Sequence, residues 1–164
     1  MIDSLSNKKH KLIIEFLYSS GLRVSECVSL KTSDLNLNEK MGIVRGGKGK
    51  KDRNIILSKK LVYDLERYLN KRKDENPYVF HVNETHLSVR QAQKIVHDAA
   101  KKAGIQKRVF CHALRSSFAT HLLENGTDIR IIQELLGHSN IQTTERYTKV
   151  STAQLKKVIS PFDT

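Results

Sequence analysis

The chain has 164 residues, 38% of them hydrophobic and 28% charged, with a formal net charge of +12. That is the length of one domain with enough apolar material for a core, which argues against a disordered chain. Two cysteines without CxxC spacing, no apolar run of membrane-spanning length and no signal pattern at the N-terminus argue against a disulfide framework, a zinc site and an exported protein, and favour a reducing cytoplasm.

Leu12, Ile13, Phe16 and Leu17 recur at helical spacing and predict a helix closed by Gly21, a good C-cap residue. Val24, Cys27, Val28 and Leu30 predict a second short helix beginning at Arg23. The period then changes. Leu35 to Asn38 alternate, Ile43-Val44 is β-branched, and Asn54 to Leu57 form a further apolar run. Gly46, Gly47 and Gly49 mark a turn between the second and third of these runs, so a small three-stranded antiparallel sheet is predicted. Helical spacing returns after Ser58 with Leu61, Leu65, Tyr68 and Leu69, and Pro77 interrupts it. Ser88 with Gln91 is a capping box for a helix running to about Ala103 and stopped by Gly104. Leu114, Phe118 and Leu122 form an apolar stripe ending at Gly126, and Ile129 to Leu136 form a short helix ending at Gly137. Ser139 with Gln142 caps another, leading to Tyr147, and a last helix carries Leu155, Val158, Ile159 and Phe162. The predicted fold class is mainly α with a small three-stranded antiparallel β-sheet.

Several residues on these elements carry usable chemistry, each with an ordinary alternative. His112 and Arg115, three apart, project from neighbouring positions of one helix face, with Leu114, Phe118 and Leu122 on another face turned to the core. An isolated pair of this kind is also what a polar helix start looks like. Arg23 opens a helix directly after a glycine, where backbone N–H groups favour an anion, and Glu26 is placed to hold its guanidinium. Arg45, Lys48, Lys50, Lys51 and Arg53 crowd a glycine-rich hairpin that lacks the GxxxxGK[ST] spacing of a nucleotide-binding loop. Such a hairpin is either a solubilising turn or a basic finger reaching a phosphate backbone, and the net charge tilts the choice toward the finger. His138 follows the glycine that closes one helix, and Tyr147 lies near a helix end, where a ring normally packs and leaves its hydroxyl wet.

Taken in order, Gly21-Leu22-Arg23-Val24-Ser25-Glu26, Gly47-Lys48-Gly49-Lys50-Lys51-Asp52-Arg53, His112-Ala113-Leu114-Arg115, Leu135-Leu136-Gly137-His138 and Tyr147 closely resemble the motifs of the tyrosine recombinase (phage integrase) family, with the Xer-like branch nearest. The resemblance spans about residues 13 to 147, and five separated motifs agree in order. It implies the catalytic-domain fold of that family for residues 1–164, without the helical DNA-clamping domain that usually precedes it, and a C-terminal tail helix over 151–164.

The resemblance further implies site-specific DNA recombination. Tyr147 attacks a phosphodiester and forms a 3′-phosphotyrosyl bond, with Arg23 and Arg115 holding the non-bridging oxygens. A planar, permanently charged fork suits that task. Lys48 is the expected proton donor to the departing 5′-oxygen, His112 the acceptor of the tyrosine proton or a phosphate hydrogen-bonder, and His138 a second support for the phosphate. Glu26 orients Arg23. No cofactor is implied, neither metal nor ATP. The expected partners are double-stranded DNA and further copies of the same chain, joined on DNA in a tetrameric synapse through the C-terminal helix. Lys50, Lys51 and Arg53 are the expected backbone contacts. Arg90 and Gln91, which open the helix capped by Ser88, are the candidates for base reading, with ordinary helix-start polarity an equal alternative. Two other readings share these residues: a type IB topoisomerase-like enzyme and a non-catalytic DNA-binding module.

Overall fold

The computed structural model describes residues 1–46 and 52–137. The chain opens with helix α1 (Lys8–Ser19), whose N-cap Asn7 accepts a hydrogen bond from the His10 backbone N–H. Leu12, Ile13, Ile14, Phe16 and Leu17 are each at most 1% exposed, so α1 is buried on most of its circumference. It packs against the helices α2 (Val24–Val28), α3 (Lys59–Leu69), α4 (Val89–Lys102) and α5 (Cys111–Glu124). Side chains this apolar on nearly every face are what allow one helix to form the axis of a bundle. Phe16 meets Phe80 edge to face at a centroid distance of 5.7 Å within that core.

Three short strands, β1 (Leu35–Asn36), β2 (Met41–Val44) and β3 (Arg53–Ile56), form the antiparallel sheet in the order β1-β2-β3. Leu35 pairs with Gly42, and Val44 pairs with Arg53 at the end of the sheet nearest the basic hairpin. Ser20, the buried C-cap residue of α1, donates its hydroxyl to the Ile56 carbonyl at 2.7 Å and ties the sheet to the bundle. A last helix, α6 (Ile129–Leu136), packs on α5 and β3. Phe118, Ala119, Ile132 and Leu136 form a separate small core there, with Ile56 against it.

The predicted elements are present among the described residues, with adjusted ends. Arg23 is the N-cap of α2 rather than its first helical residue, and Leu30 lies beyond the end of that helix. Ser58 caps α3 as expected, and the Ser88–Gln91 capping box opens α4. A two-stranded hairpin of β4 (His81–Val82) and β5 (Thr85–His86) follows Pro77, where the sequence predicted only a break. Its strands are two residues long and show no alternation to read. No helix among the described residues is long and apolar enough to cross a membrane.

Candidate active site

The site is built around the C-terminal end of α6. The last carbonyls of a helix have no partner inside it and carry the negative end of its dipole. In α6 no basic residue lies in the last turn, so cations come from elsewhere in the chain. Arg53 Nε donates to the Leu135 carbonyl at 2.9 Å, Arg115 Nη2 to the Leu136 carbonyl at 2.6 Å, and Arg23 Nη2 to the Gly137 carbonyl at 3.4 Å. Three arginines from β3, α5 and the N-cap of α2 thus converge on successive carbonyls. Gly137 closes α6 in the left-handed region at φ 62°, and the chain leaves it toward His138.

Glu26 sits among these cations. Its Oε1 accepts from Arg23 Nη1 at 2.7 Å and Arg53 Nη1 at 2.8 Å. Its Oε2 accepts from Arg53 Nη2 at 2.6 Å and from the Arg23 backbone N–H at 2.8 Å. Burial pushes the carboxyl pKa upward, but the hydrogen bonds from Arg53 and from the Arg23 backbone outweigh it and hold the pKa at about 2. The expected Glu26–Arg23 contact is therefore present, and Arg53 joins it from the opposite side.

Arg53 was expected on the exposed basic finger with Lys50 and Lys51. It is instead 7% exposed, with its guanidinium directed at Glu26 and Leu135. The reason lies in the strand period: Asn54 points out and Ile55 points in, so Arg53, two residues before Ile55, shares the inner face. That alternation was readable in the sequence; the identity of the buried partner was not.

Arg115 also departs from the expected face. Cys111, Arg115, Phe118 and Ala119 are the buried residues of α5, whereas Leu114 and Leu122 are only partly covered. At 2% exposure, Arg115 lies on the core-facing stripe, with Nη1 donating to the Gly21 carbonyl at 2.5 Å besides the bond to Leu136. Gly21, at φ 62°, lies so close beneath Phe118 that a Cβ there would be 2.4 Å from the ring. His112 is exposed one turn before Arg115.

Two grooves border the start of α2. Arg23 and Glu26 line one together with Lys31, Arg45 and Gly46. Val24 lines the other with Arg90, Gln91, Lys94, Arg108 and His112. Arg90 and Gln91 are both exposed, but the Gln91 side-chain oxygen already accepts from the Ser88 backbone N–H at 2.9 Å and from its hydroxyl at 2.8 Å. Only the amide NH2 of Gln91 remains for a partner in that rotamer. Lys94 and Arg108 were not singled out from sequence; each is one basic residue among many, and only the groove groups them with His112. Arg45 holds the base of the basic hairpin through Asp34 at 2.7 Å and Asp52 at 3.5 Å. Lys48, Lys50, Lys51, His138, Tyr147 and the 151–164 segment lie outside the described residues.

This combination of a helical bundle, a three-stranded sheet and a buried arginine cluster defines a class. Residues 2–154 match the phage integrase family, and the chain belongs to it. Within that family the similarity is to Xer tyrosine recombinases. It is 48% identical over 163 residues to tyrosine recombinase XerA of Pyrococcus horikoshii, covering 97% of this chain and 56% of that protein. It is 44% identical to tyrosine recombinase XerD of Listeria monocytogenes, covering 94% and 54% respectively. The crystal structure of XerA recombinase superposes with a TM-score of 0.85 at 39% identity, over 94% of this chain and 58% of that one. XerH bound to its difH substrate in a pre-cleavage complex superposes with a TM-score of 0.82 at 26% identity, over 99% and 50%. The chain thus spans about half the length of the relatives it matches.

Proposed function

We propose that this chain carries the strand-transfer chemistry of a site-specific tyrosine recombinase acting on double-stranded DNA. The convergence of Arg23 and Arg115, from separate helices, on the end of α6 just before His138 is the observation that carries this reading. Four charged side chains there, Arg23, Arg53, Arg115 and Glu26, sum to an excess of two positive charges, held rigid by carbonyls and a carboxylate. A fixed cationic site of this kind stabilises the charge that builds on phosphate oxygens during in-line displacement, because it needs no reorganisation as the reaction proceeds.

In this reading Tyr147 attacks the phosphorus, and its phenolic proton passes to His112. The bond from phosphorus to the 5′-oxygen breaks, and Lys48 protonates the leaving oxygen. Arg23, from the groove that it lines with Glu26, and Arg115, from the core side, bind the non-bridging oxygens, and His138 adds a hydrogen bond. Rejoining is the reverse sequence with a different 5′-hydroxyl. The energy of the phosphodiester is kept in the tyrosyl bond, so no ATP is required. DNA crosses both grooves at the start of α2, where Arg90 and Lys94 face it. The family likeness to recombinases supports self-association on DNA in a tetrameric synapse, with the tail predicted from sequence as a helix over 151–164 as the linking element.

The experiment is covalent trapping. A nicked duplex whose site has been selected by this protein from a random-sequence library should yield a denaturant-resistant protein–DNA adduct. Tyr147→Phe should abolish the adduct while leaving non-covalent binding nearly unchanged, since only a hydroxyl is removed. An undiminished adduct with Tyr147→Phe would assign the nucleophile elsewhere. Absence of an adduct from the wild-type chain bound at saturation would favour a DNA-binding module without catalysis.

A further inference from the structure

We infer that Arg53 is a positioning residue for strand cleavage: by serving as the counter-ion of Glu26 it leaves the charge of Arg23 available to a DNA phosphate. The inference rests on the recombinase reading given above. Glu26 is surrounded by four donors, two from the Arg53 guanidinium, one from the Arg23 guanidinium and one from the Arg23 backbone. A carboxylate offers about four acceptor sites, so this shell is complete. The side chains are 5% exposed at Arg53, 9% at Glu26 and 29% at Arg23. One negative charge between two positive ones leaves an excess of one, and of the two cations Arg23 is the one that lines the groove, beside Glu26.

Without Arg53 the balance changes. Glu26 would remain a largely buried carboxylate with Arg23 as its sole cation among these contacts, and the desolvated charge would bind that guanidinium more tightly. The pair would be neutral, and Arg23 would be pulled toward Glu26 and away from a phosphate. Arg53 does this from inside the protein, with its guanidinium nitrogens on protein acceptors. Two of its nitrogens are on Glu26, and Nε is on the Leu135 carbonyl. Its Cδ lies against Gly137, where an added Cβ would approach to 2.7 Å. Lysine would keep the charge but not the fork that spans both carboxylate oxygens and the carbonyl.

The test measures the rate of Tyr147 adduct formation at saturating concentrations of the selected nicked duplex, alongside melting temperature. Arg53→Met, which keeps the apolar stem, should slow adduct formation by about 100-fold, the effect of a ~1 Å misplacement of a reacting group. Adding Glu26→Gln to Arg53→Met should restore at least about 10-fold, because a neutral amide no longer sequesters Arg23. A purely structural role for Arg53 predicts no such recovery. Arg53→Lys should cleave well above Arg23→Ala, and this comparison stands even if Arg53→Met does not fold. An Arg53→Met rate equal to wild type, a double variant no faster than Arg53→Met, or parity of Arg53→Lys with Arg23→Ala overturns the inference. A wild-type chain that forms no adduct removes the recombinase reading and this inference together. Wild-type cleavage with unaffected Arg53 variants removes the inference alone.

Discussion

Gly137 has two separate demands on it. Its φ of 62° places it where an L-side chain is strained by roughly 1–2 kcal/mol, and its Cα faces the Arg53 side chain. Gly104 shares the first demand, at φ 71°, but has open space where a Cβ would go. Gly104→Ala and Gly137→Ala should therefore lose similar stability from backbone strain alone. Only Gly137→Ala should also displace Arg53 and slow adduct formation. Melting temperature and cleavage rate measured on the two variants separate these effects, and equal cleavage by both would mean that the turn tolerates a shifted Arg53. Glu26 gives a pH dependence of known sign. Its folded pKa of about 2 lies below the ordinary carboxyl value of 4.5, so the unfolded state binds a proton first. The stabilisation it contributes is complete above pH 4.5 and is lost as the pH falls toward 2. Thermal melts across that window should show a shallower pH slope for Glu26→Gln than for the wild-type chain.

The β2–β3 hairpin and the start of α4 make separable contributions. The hairpin leaves the sheet at the Val44–Arg53 pair, with its base held by Arg45, Asp34 and Asp52. A fixed base under a basic loop suits delivery of one lysine to a leaving oxygen. If Lys48 is that donor, Lys48→Ala should cleave ordinary DNA poorly and recover on a substrate with sulfur in place of the 5′-bridging oxygen, which needs no proton. Arg115→Ala should not recover if, as proposed, it stabilises charge on the other oxygens. Equal recovery of both, or of neither, would take Lys48 out of that role. On α4, Gln91 belongs first to the capping box, so Gln91→Ala should lower stability by about 1 kcal/mol. Arg90→Ala should leave stability unchanged and alter preference at one base position. A uniform loss across all sequences would make Arg90 a phosphate contact instead. Lys50→Ala with Lys51→Ala should flatten the salt dependence of binding and leave sequence preference alone.

The bundle organised around α1 packs α2 and α5 directly on that helix, and the Ser20–Ile56 hydrogen bond ties β3 to its end. The assembly proposed above rests on a segment outside the described residues. Leu155, Val158, Ile159 and Phe162 follow the i, i+3, i+4, i+7 spacing that predicts an apolar stripe on a helix, and a predicted helix so short would have to bury that stripe to be stable. Docking it on the next copy of the chain would link subunits head to tail and close a ring on synapsed DNA. Deleting 151–164 should then preserve cleavage of a single site and abolish complete recombination between two. Recombination at the normal rate after the deletion would mean that the stripe completes its own subunit.

The sequence alone determined the features governed by neighbours three or four residues apart. Ser58, Ser88 with Gln91, and Gly137 mark helix ends because their hydrogen bonds or dihedral requirements are local. The order of the five motifs determined the family. The fold decided how the charges are divided among them. Arg53 and Lys51 look alike in a run of basic residues, yet Arg53 is buried on a carboxylate 27 positions upstream and on a carbonyl 82 positions downstream. Arg115 looks like a surface partner of His112 and is in fact clamped between the carbonyls of Gly21 and Leu136. A buried charge is stable only where its counter-charges and acceptors are assembled around it, and these come from segments that adjoin only when the chain is folded.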